Sequence, residues 1–271
     1  MPAPRSRGRV GAATLGAALI LAACAGPSAP PPPTPPPAAP ASPAVAAMLA
    51  GWKLTLPVPG SGGGPAAVDP AALAPPWLTA DAGDRLVFWA PVNGVTTKNS
   101  EHTRTELNRL ENFAAGAGPR TMTASVTVAQ VPSAVPRVIV GQIHGAGDIS
   151  AVPFVMLFYD GGTVRAVVKT ELSGNAHTDV PLLTDVPLGA PFDYTITDGG
   201  DGTITLTATY RGRTVSGGAP VPAAFAGRTV RFQVGAYQQA PSGDGTAAPD
   251  DGARVVLSAL RVGTEAAPTA P

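Results

Sequence analysis

The 271-residue chain carries 32 Gly and 32 Pro, a share that usually accompanies disorder, yet 44% of it is hydrophobic, which excludes a wholly disordered protein. Lys+Arg and Asp+Glu both number 18, so the formal net charge is zero. Nucleic acid is thereby set aside as a partner, while a local cationic cleft stays allowed.

In chain order, Arg5, Arg7 and Arg9 precede an apolar run from Val10 to Ala23. That is the layout of a secretory signal, and the run is too short to span a bilayer as a helix. Leu21-Ala22-Ala23-Cys24 follows, and Cys24 is the only cysteine in the chain. The tetrapeptide resembles the bacterial lipobox. The resemblance implies a signal peptide over 1–23, lipidation of Cys24, and export to the bacterial cell envelope at the outer membrane or cell surface. The membrane is then met through the lipid anchor alone. Residues 24–47 read as the lipidated Cys and a Pro-rich linker, with ten prolines between Pro27 and Pro43. At ~3.1 Å per residue in polyproline II, that tract reaches on the order of 50 Å. No other thiol exists for a disulfide, a metal site or a nucleophile.

A single folded domain is expected over 48–265, with a tail at 266–271. Its β-rich runs are Arg85–Ala90, Arg104–Glu111, Thr121–Val131, Arg137–His144, Pro153–Tyr159, Thr163–Glu171, Phe192–Thr197, Thr203–Tyr210, Arg213–Ser216, Thr229–Gln239 and Ala253–Val262. Turns are marked by Asp160-Gly161-Gly162, by Asp198–Gly202 and by Arg211-Gly212. One modest helix is expected around Pro70–Leu73. Many strands and few helices predict an all-β sandwich or jelly roll.

Alternation with period two assigns faces. In Thr229–Gln239, Val230, Phe232, Val234 and Ala236 lie opposite Gln233, Gly235, Tyr237 and Gln239. In Arg137–His144, Val138, Val140, Gln142 and His144 share one face, opposite Ile139, Gly141 and Ile143. In Arg104–Glu111, Arg104, Glu106 and Asn108 lie opposite Thr105, Leu107 and Arg109. If these polar faces line one sheet, they form a groove rich in hydrogen-bonding groups.

The chemistry-bearing set is Arg104, Gln142, His144 and Tyr237. No Ser nucleophile motif, phosphate loop or His-rich metal pattern is present. An Arg, an amide, an imidazole and a phenol suit proton removal beside a carboxylate, as in β-elimination on a uronic acid. Arg104 would pair with the carboxylate and Gln142 would donate to it, both stabilising charge that grows in the transition state. A base takes the C5 proton and an acid protonates the leaving glycosidic oxygen. For Tyr237 to act as a base, the cationic neighbours Arg104 and His144 would have to favour the phenolate.

Arg104-Thr105-Glu106-Leu107, Gln142-Ile143-His144 and Phe232–Gln239 resemble, in order and rough spacing, the three signature motifs of the polysaccharide lyase family 7 alginate lyases. Trp52–Pro57 is similar to that family's first strand. The resemblance implies a β-jelly-roll sandwich whose concave sheet binds an anionic uronate polysaccharide, with no cofactor. It further implies that Arg104 and Gln142 neutralise the carboxylate and that Tyr237 is the acid, doubling as base on mannuronate. His144 would aid neutralisation or serve as base on guluronate. Glu106, Asn108, Gln233 and Gln239 are the accompanying substrate-binding positions, with Arg165, Lys169 and His102 as further contacts. Three departures stand out. Asn108 replaces the family's second Arg, and neighbouring Arg109 belongs to the opposite face. Arg231 replaces a Tyr, and Gln233 replaces a Lys.

Outside the motifs, His177 falls in a loop, Trp52 and Trp89 suit core packing, Gly60–Gly64 suits a flap over the groove, and Ser242–Asp251 reads as a solvated loop. The expected protein is a monomeric, lipid-anchored lyase acting endolytically on alginate. Its rivals are a non-catalytic carbohydrate-binding envelope lipoprotein on the same fold, a lyase for another uronate polymer such as glucuronan, and a structural envelope lipoprotein with no sugar ligand.

Overall fold

The computed structural model describes residues 41–243 and 245–264. The expected signal segment, Cys24, most of the Pro-rich linker, Asp244 and the tail 266–271 lie outside the described residues.

Ser42 caps a helix α1 (Pro43–Leu49): its Oγ accepts from Val45 N at 3.2 Å, and Pro43 supplies the fixed φ of a first helical turn. Val45 and Leu49 are buried in the core. The folded unit therefore begins ahead of Met48, inside the stretch read as linker. Pro43 closes the proline tract in sequence but opens a helix in space.

Sixteen strands follow: β1 (Trp52–Pro59), β2 (Pro65–Val68), β3 (Leu78–Ala80), β4 (Leu86–Pro91), β5 (Arg104–Arg109), β6 (Phe113–Ala114), β7 (Arg120–Gln130), β8 (Arg137–Gly145), β9 (Pro153–Asp160), β10 (Thr163–Lys169), β11 (His177–Leu183), β12 (Pro191–Asp198), β13 (Thr203–Tyr210), β14 (Arg213–Pro220), β15 (Thr229–Gln238) and β16 (Gly252–Gly263). They form two antiparallel sheets. One runs β11-β10-β9-β8-β15-β5-β1-β2, with β6 beside β15; the other runs β14-β13-β12-β7-β16-β4-β3. Residues such as Phe88, Leu107, Val126, Tyr194, Ile196, Phe232 and Leu257 fill the space between them. This is the expected all-β sandwich.

All eleven runs read from the sequence are strands. Hairpins close where predicted, with Gly161 and Gly162 at φ 57 and 98 between β9 and β10. Pro70–Leu73 is not helical. Four residues ahead of Pro75-Pro76 are too few to propagate a helix, and Ala71 N instead donates to Trp52 O at 2.8 Å. His177 opens an exposed edge strand and is not in a loop. Gly60–Gly64 forms the tight turn of the β1–β2 hairpin, closed by Gly60 N donating to Gly64 O at 2.7 Å.

The feature that positions the site is a bulge in β8. Its register against β9 slips between Ile139 and Gly141. Val138, Val140 and Ile143 all face the core, whereas Ile139 faces outward into a small cluster with Phe158 and Val167. Strict alternation therefore misassigned Val138 and Val140 to the face of Gln142 and His144; the extra residue resets the phase. Gly141 sits under Tyr194, where a Cβ would come within 2.5 Å of the phenol oxygen, and that hydroxyl donates to Val140 O at 2.9 Å. β15 keeps its alternation, with Val230, Phe232, Val234 and Ala236 all in the core.

Candidate active site

The outward faces of β1, β5, β15 and β8 form the floor of a cleft of ≈ 440 Å³. Its walls are the loop Thr97–Ser100 on one side and Ser150–Pro153 on the other. Of the expected residues, Arg104, Asn108, Gln142, His144, Gln233, Tyr237 and Gln239 all line it.

Across the floor runs a ladder of neutral side chains. Asn108 Nδ2 donates to Thr55 Oγ1 at 3.0 Å and to Glu106 O at 3.1 Å. Gln233 Nε2 donates to Asn108 Oδ1 at 2.7 Å. Gln142 Nε2 donates to Gln233 Oε1 at 3.0 Å and to Glu106 Oε1 at 2.7 Å. A backbone carbonyl can only accept, so each amide orientation fixes the next. Both amide hydrogens of Gln142 are consumed, and its Oε1 is buried without a partner. Gln142 therefore has no free donor, and the donation to a carboxylate expected of it is not available in this arrangement.

Glu106 is 1% exposed and is not part of the cleft lining, so it is not the direct substrate contact read from the sequence. Arg104 Nη1 donates to its Oε2 at 3.3 Å. Burial raises its carboxyl pKa, opposed by Arg104 and by the Gln142 amide. From the same face of β5 it orients those two side chains, and its charge is offset by Arg104.

Arg104 lies over the Tyr237 ring, Cζ 3.6 Å from the centroid. The Tyr237 hydroxyl is 2.8 Å from Ser100 Oγ. Ser100 Oγ also lies 3.2 Å from His102 O and accepts from His102 N at 3.0 Å, so the loop fixes the hydroxyl beside the phenol. The phenol is thus held at the cleft wall. His102 stands behind it, ring centroids 6.2 Å apart, with Nδ1 facing Ala240 O at 3.0 Å, and is not among the cleft-lining residues.

His144 Nδ1 donates to Gly145 O at 3.1 Å, which leaves the Nε2 lone pair free. Burial depresses its pKa to about 4, aided by the positive charges of Arg104 and Arg231. The ring is neutral around pH 7, so it supplies no cationic bias toward a tyrosinate; it is instead a base.

Arg165 and Lys169 lie on β10, two strands from β8, outside the cleft lining. Arg165 is held by Asp160 at 3.5 Å and Asp179 at 3.2 Å, and Lys169 Nζ donates to Gly174 O at 2.8 Å. Gln239 lines the cleft, but its amide donates to the backbone oxygens of Tyr237 and Gln238 at 3.2 and 3.0 Å. Arg109, as its parity required, points elsewhere: it donates to Ala50 O at 3.0 Å and lies over Trp52.

Arg231, Lys98 and Ser100 also line the cleft and were not read as site residues. Arg231 shares the parity of Gln233 and Tyr237, so extending the face count by one step would have found it. Lys98 and Ser100 come from an irregular loop, which no periodicity marks. Lys98, Arg104 and Arg231 are cationic, and no carboxylate is among the lining residues. Among the described residues no three His, Cys, Asp or Glu side chains gather as a metal site.

The alginate lyase family model matches residues 48–264. Similar solved structures include alginate lyase PA1167 from Pseudomonas aeruginosa, at 27% identity, covering 80% of this chain and 99% of that one with a TM-score of 0.69. The alginate lyase from Klebsiella pneumoniae shares the fold at 22% identity, 81% and 97% coverage and a TM-score of 0.67. Alginate lyase A1-II′, a member of polysaccharide lyase family 7, matches at 25% identity over 79% of this chain and 95% of that one, TM-score 0.63. A variant of that enzyme with a histidine and a tyrosine replaced was solved in complex with a substrate, GGMG. No sequence among the curated proteins matches. With a sandwich of the same fold, the three motifs gathered in one cleft and a family match over nearly the whole described region, the chain belongs to the alginate lyase family.

Proposed function

We propose that the cleft cleaves alginate by β-elimination, leaving an unsaturated uronate at the new end. The observation that carries this is the pairing of a neutral His144, with Nε2 free, and the Tyr237 phenol in one cleft whose lining is cationic and lacks carboxylates. The uronate carboxylate lies against Arg104, whose charge stabilises the anion that builds as C5 loses its proton. His144 Nε2 takes that proton. The C5–H electron pair becomes the C4=C5 double bond, the C4–O bond breaks, and Tyr237 protonates the departing oxygen. That a related enzyme was solved in complex with a substrate supports a uronate chain in this cleft.

A panel of polymannuronate, polyguluronate, mixed alginate and glucuronan tests the reading. Ultraviolet absorbance of the conjugated product is expected on alginate. Binding without absorbance on every polymer would leave a carbohydrate-binding protein instead. An endolytic mode goes with the reading, and early digests should hold a broad range of oligomers. Export and lipid anchoring at Cys24 belong to the same proposal, supported by the lone cysteine behind Leu21-Ala22-Ala23. Cys24→Ser should move the protein from the membrane fraction to the soluble one.

A further inference from the structure

Ser100 brings a hydroxyl against the acid: its Oγ lies 2.8 Å from the Tyr237 phenol oxygen, and both residues line the cleft. No strand holds it there, since Ser100 belongs to the irregular segment between β4 and β5. A second irregular segment, the one that follows β15, does so instead. Ser242 N donates to Glu101 O at 2.5 Å, Ser242 Oγ donates to Gly94 O at 3.0 Å, and His102 Nδ1 faces Ala240 O at 3.0 Å. Buried Gln238 ties the two segments again, donating to Thr103 Oγ1 at 3.2 Å and accepting from Ala240 N at 2.6 Å. Ser100 N closes a turn on Thr97 O at 3.0 Å. The loop is thus pinned before and after Ser100, so its hydroxyl is in place ahead of the reaction.

That hydroxyl has one hydrogen and two acceptors within reach. Oγ accepts from His102 N at 3.0 Å, while His102 O and the Tyr237 oxygen stand 3.2 and 2.8 Å away. With the hydrogen turned to His102 O, an Oγ lone pair is left for the phenol O–H. With it turned to Tyr237, it meets the phenol oxygen itself. Rotation about one C–O bond converts the first arrangement into the second, and no heavy atom moves. A phenol that has lost its proton can only accept, so the second arrangement is the one a phenolate requires. Hydrogen bonds to an ionised oxygen are about twice as strong as neutral ones. The Arg104 guanidinium over the same ring favours the same charge.

We propose that Ser100 is a positioning residue for the acid step: its hydroxyl rotates onto Tyr237 as the phenol gives up its proton, and holds the phenolate until the proton returns. The Tyr237 proton passes to the departing oxygen as the C4–O bond breaks, and Ser100 keeps its own hydrogen throughout. Water then reprotonates the phenolate, and the hydroxide left behind takes the proton that His144 removed from C5. This rests on the lyase reading above.

Ser100→Ala and Ser100→Thr test it, with Ser100→Ala made also in a Tyr237→Phe background. On alginate, kcat of Ser100→Ala should fall about tenfold or more, the size of a lost hydrogen bond to a charged group, while KM stays near that of the wild type. The Thr variant keeps the hydroxyl and should recover most of the rate. In Tyr237→Phe no phenolate forms, so adding Ser100→Ala should cost nothing further. Equal losses in the two backgrounds would trace the effect to loop order and overturn the proposal. A rise in KM alone would make Ser100 a substrate contact and overturn it too, as would a Thr variant as slow as the Ala one. If the wild-type protein makes no unsaturated product, the lyase reading fails and this role falls with it. An active wild type with an equally active Ser100→Ala defeats this role alone.

Discussion

At the scale of single residues, the proton route is set by two hydrogen bonds that involve main-chain oxygens. Gly145 O fixes the His144 tautomer, and His102 O, with Ser100 Oγ, places the hydroxyl that meets the Tyr237 phenol at 2.8 Å. Tyr237→Phe should lower turnover by ~10²–10⁴-fold while sparing alginate binding, since it deletes the acid and keeps the ring beneath Arg104. Activity near wild type in that variant would remove Tyr237 from the acid role. The pH profile follows from His144. Burial disfavours the imidazolium, so the base form persists as pH falls until about 4. The acid limb of kcat/KM should lie there, below the usual 6.5. A limb near 6.5 would mean that His144 is not the titrating base. Arg104, His144 and Tyr237 were legible in the sequence because each stands in a motif with fixed neighbours. Ser100 was not, since its role depends on a loop brought to Tyr237 from 137 residues away. Glu106 was legible as a partner of Arg104 but not as buried, because burial is decided by what packs above it.

At the scale of elements, turn chemistry exposed most strands. Paired glycines and Asp-Gly steps bracket them, and apolar alternation fills the interval. What escaped were short or marginal strands: two residues in β6, three in β3, four in β2, and β11 with Pro181 on an exposed edge. A bulge is harder still, since one inserted residue leaves no mark in composition. Its signature is Gly141, held against Tyr194. Gly141→Ala should destabilise the fold by ~1–3 kcal/mol through overpacking. Tyr194→Phe alone should cost ~1 kcal/mol for the lost bond to Val140 O. Combined, the two should be milder than their sum, because removing the phenol oxygen makes room for the methyl. Additive melting shifts would show that the contact does not shape the bulge. Since the bulge turns Ile139, Gln142 and His144 to one side, the activity of Gly141→Ala should fall along with its stability.

At the scale of the whole molecule, eighteen cations balance eighteen anions over the full sequence, and loss of the proposed signal segment with Arg5, Arg7 and Arg9 would leave an excess of anions, yet the cleft lining holds Lys98, Arg104 and Arg231 with no carboxylate. Composition sets the balance but does not say where the charges gather; the topology does that, by bringing β8, β15 and β5 side by side. Glu106 is buried among the side chains of the floor and paired with Arg104. KM on alginate should therefore rise with ionic strength, as salt screens the mouth over a Debye length of ~8 Å at physiological strength. A KM indifferent to salt would count against a cationic cleft. The lack of a net positive charge has a further consequence for how the enzyme and its polymer part. A field built from a local excess and a compensating deficit elsewhere fades faster with distance than that of a net-charged particle. Once the cleft lets go of a cut strand, little long-range attraction holds the protein beside it. Each encounter should then end after one or a few cuts, with the enzyme starting afresh on another chain.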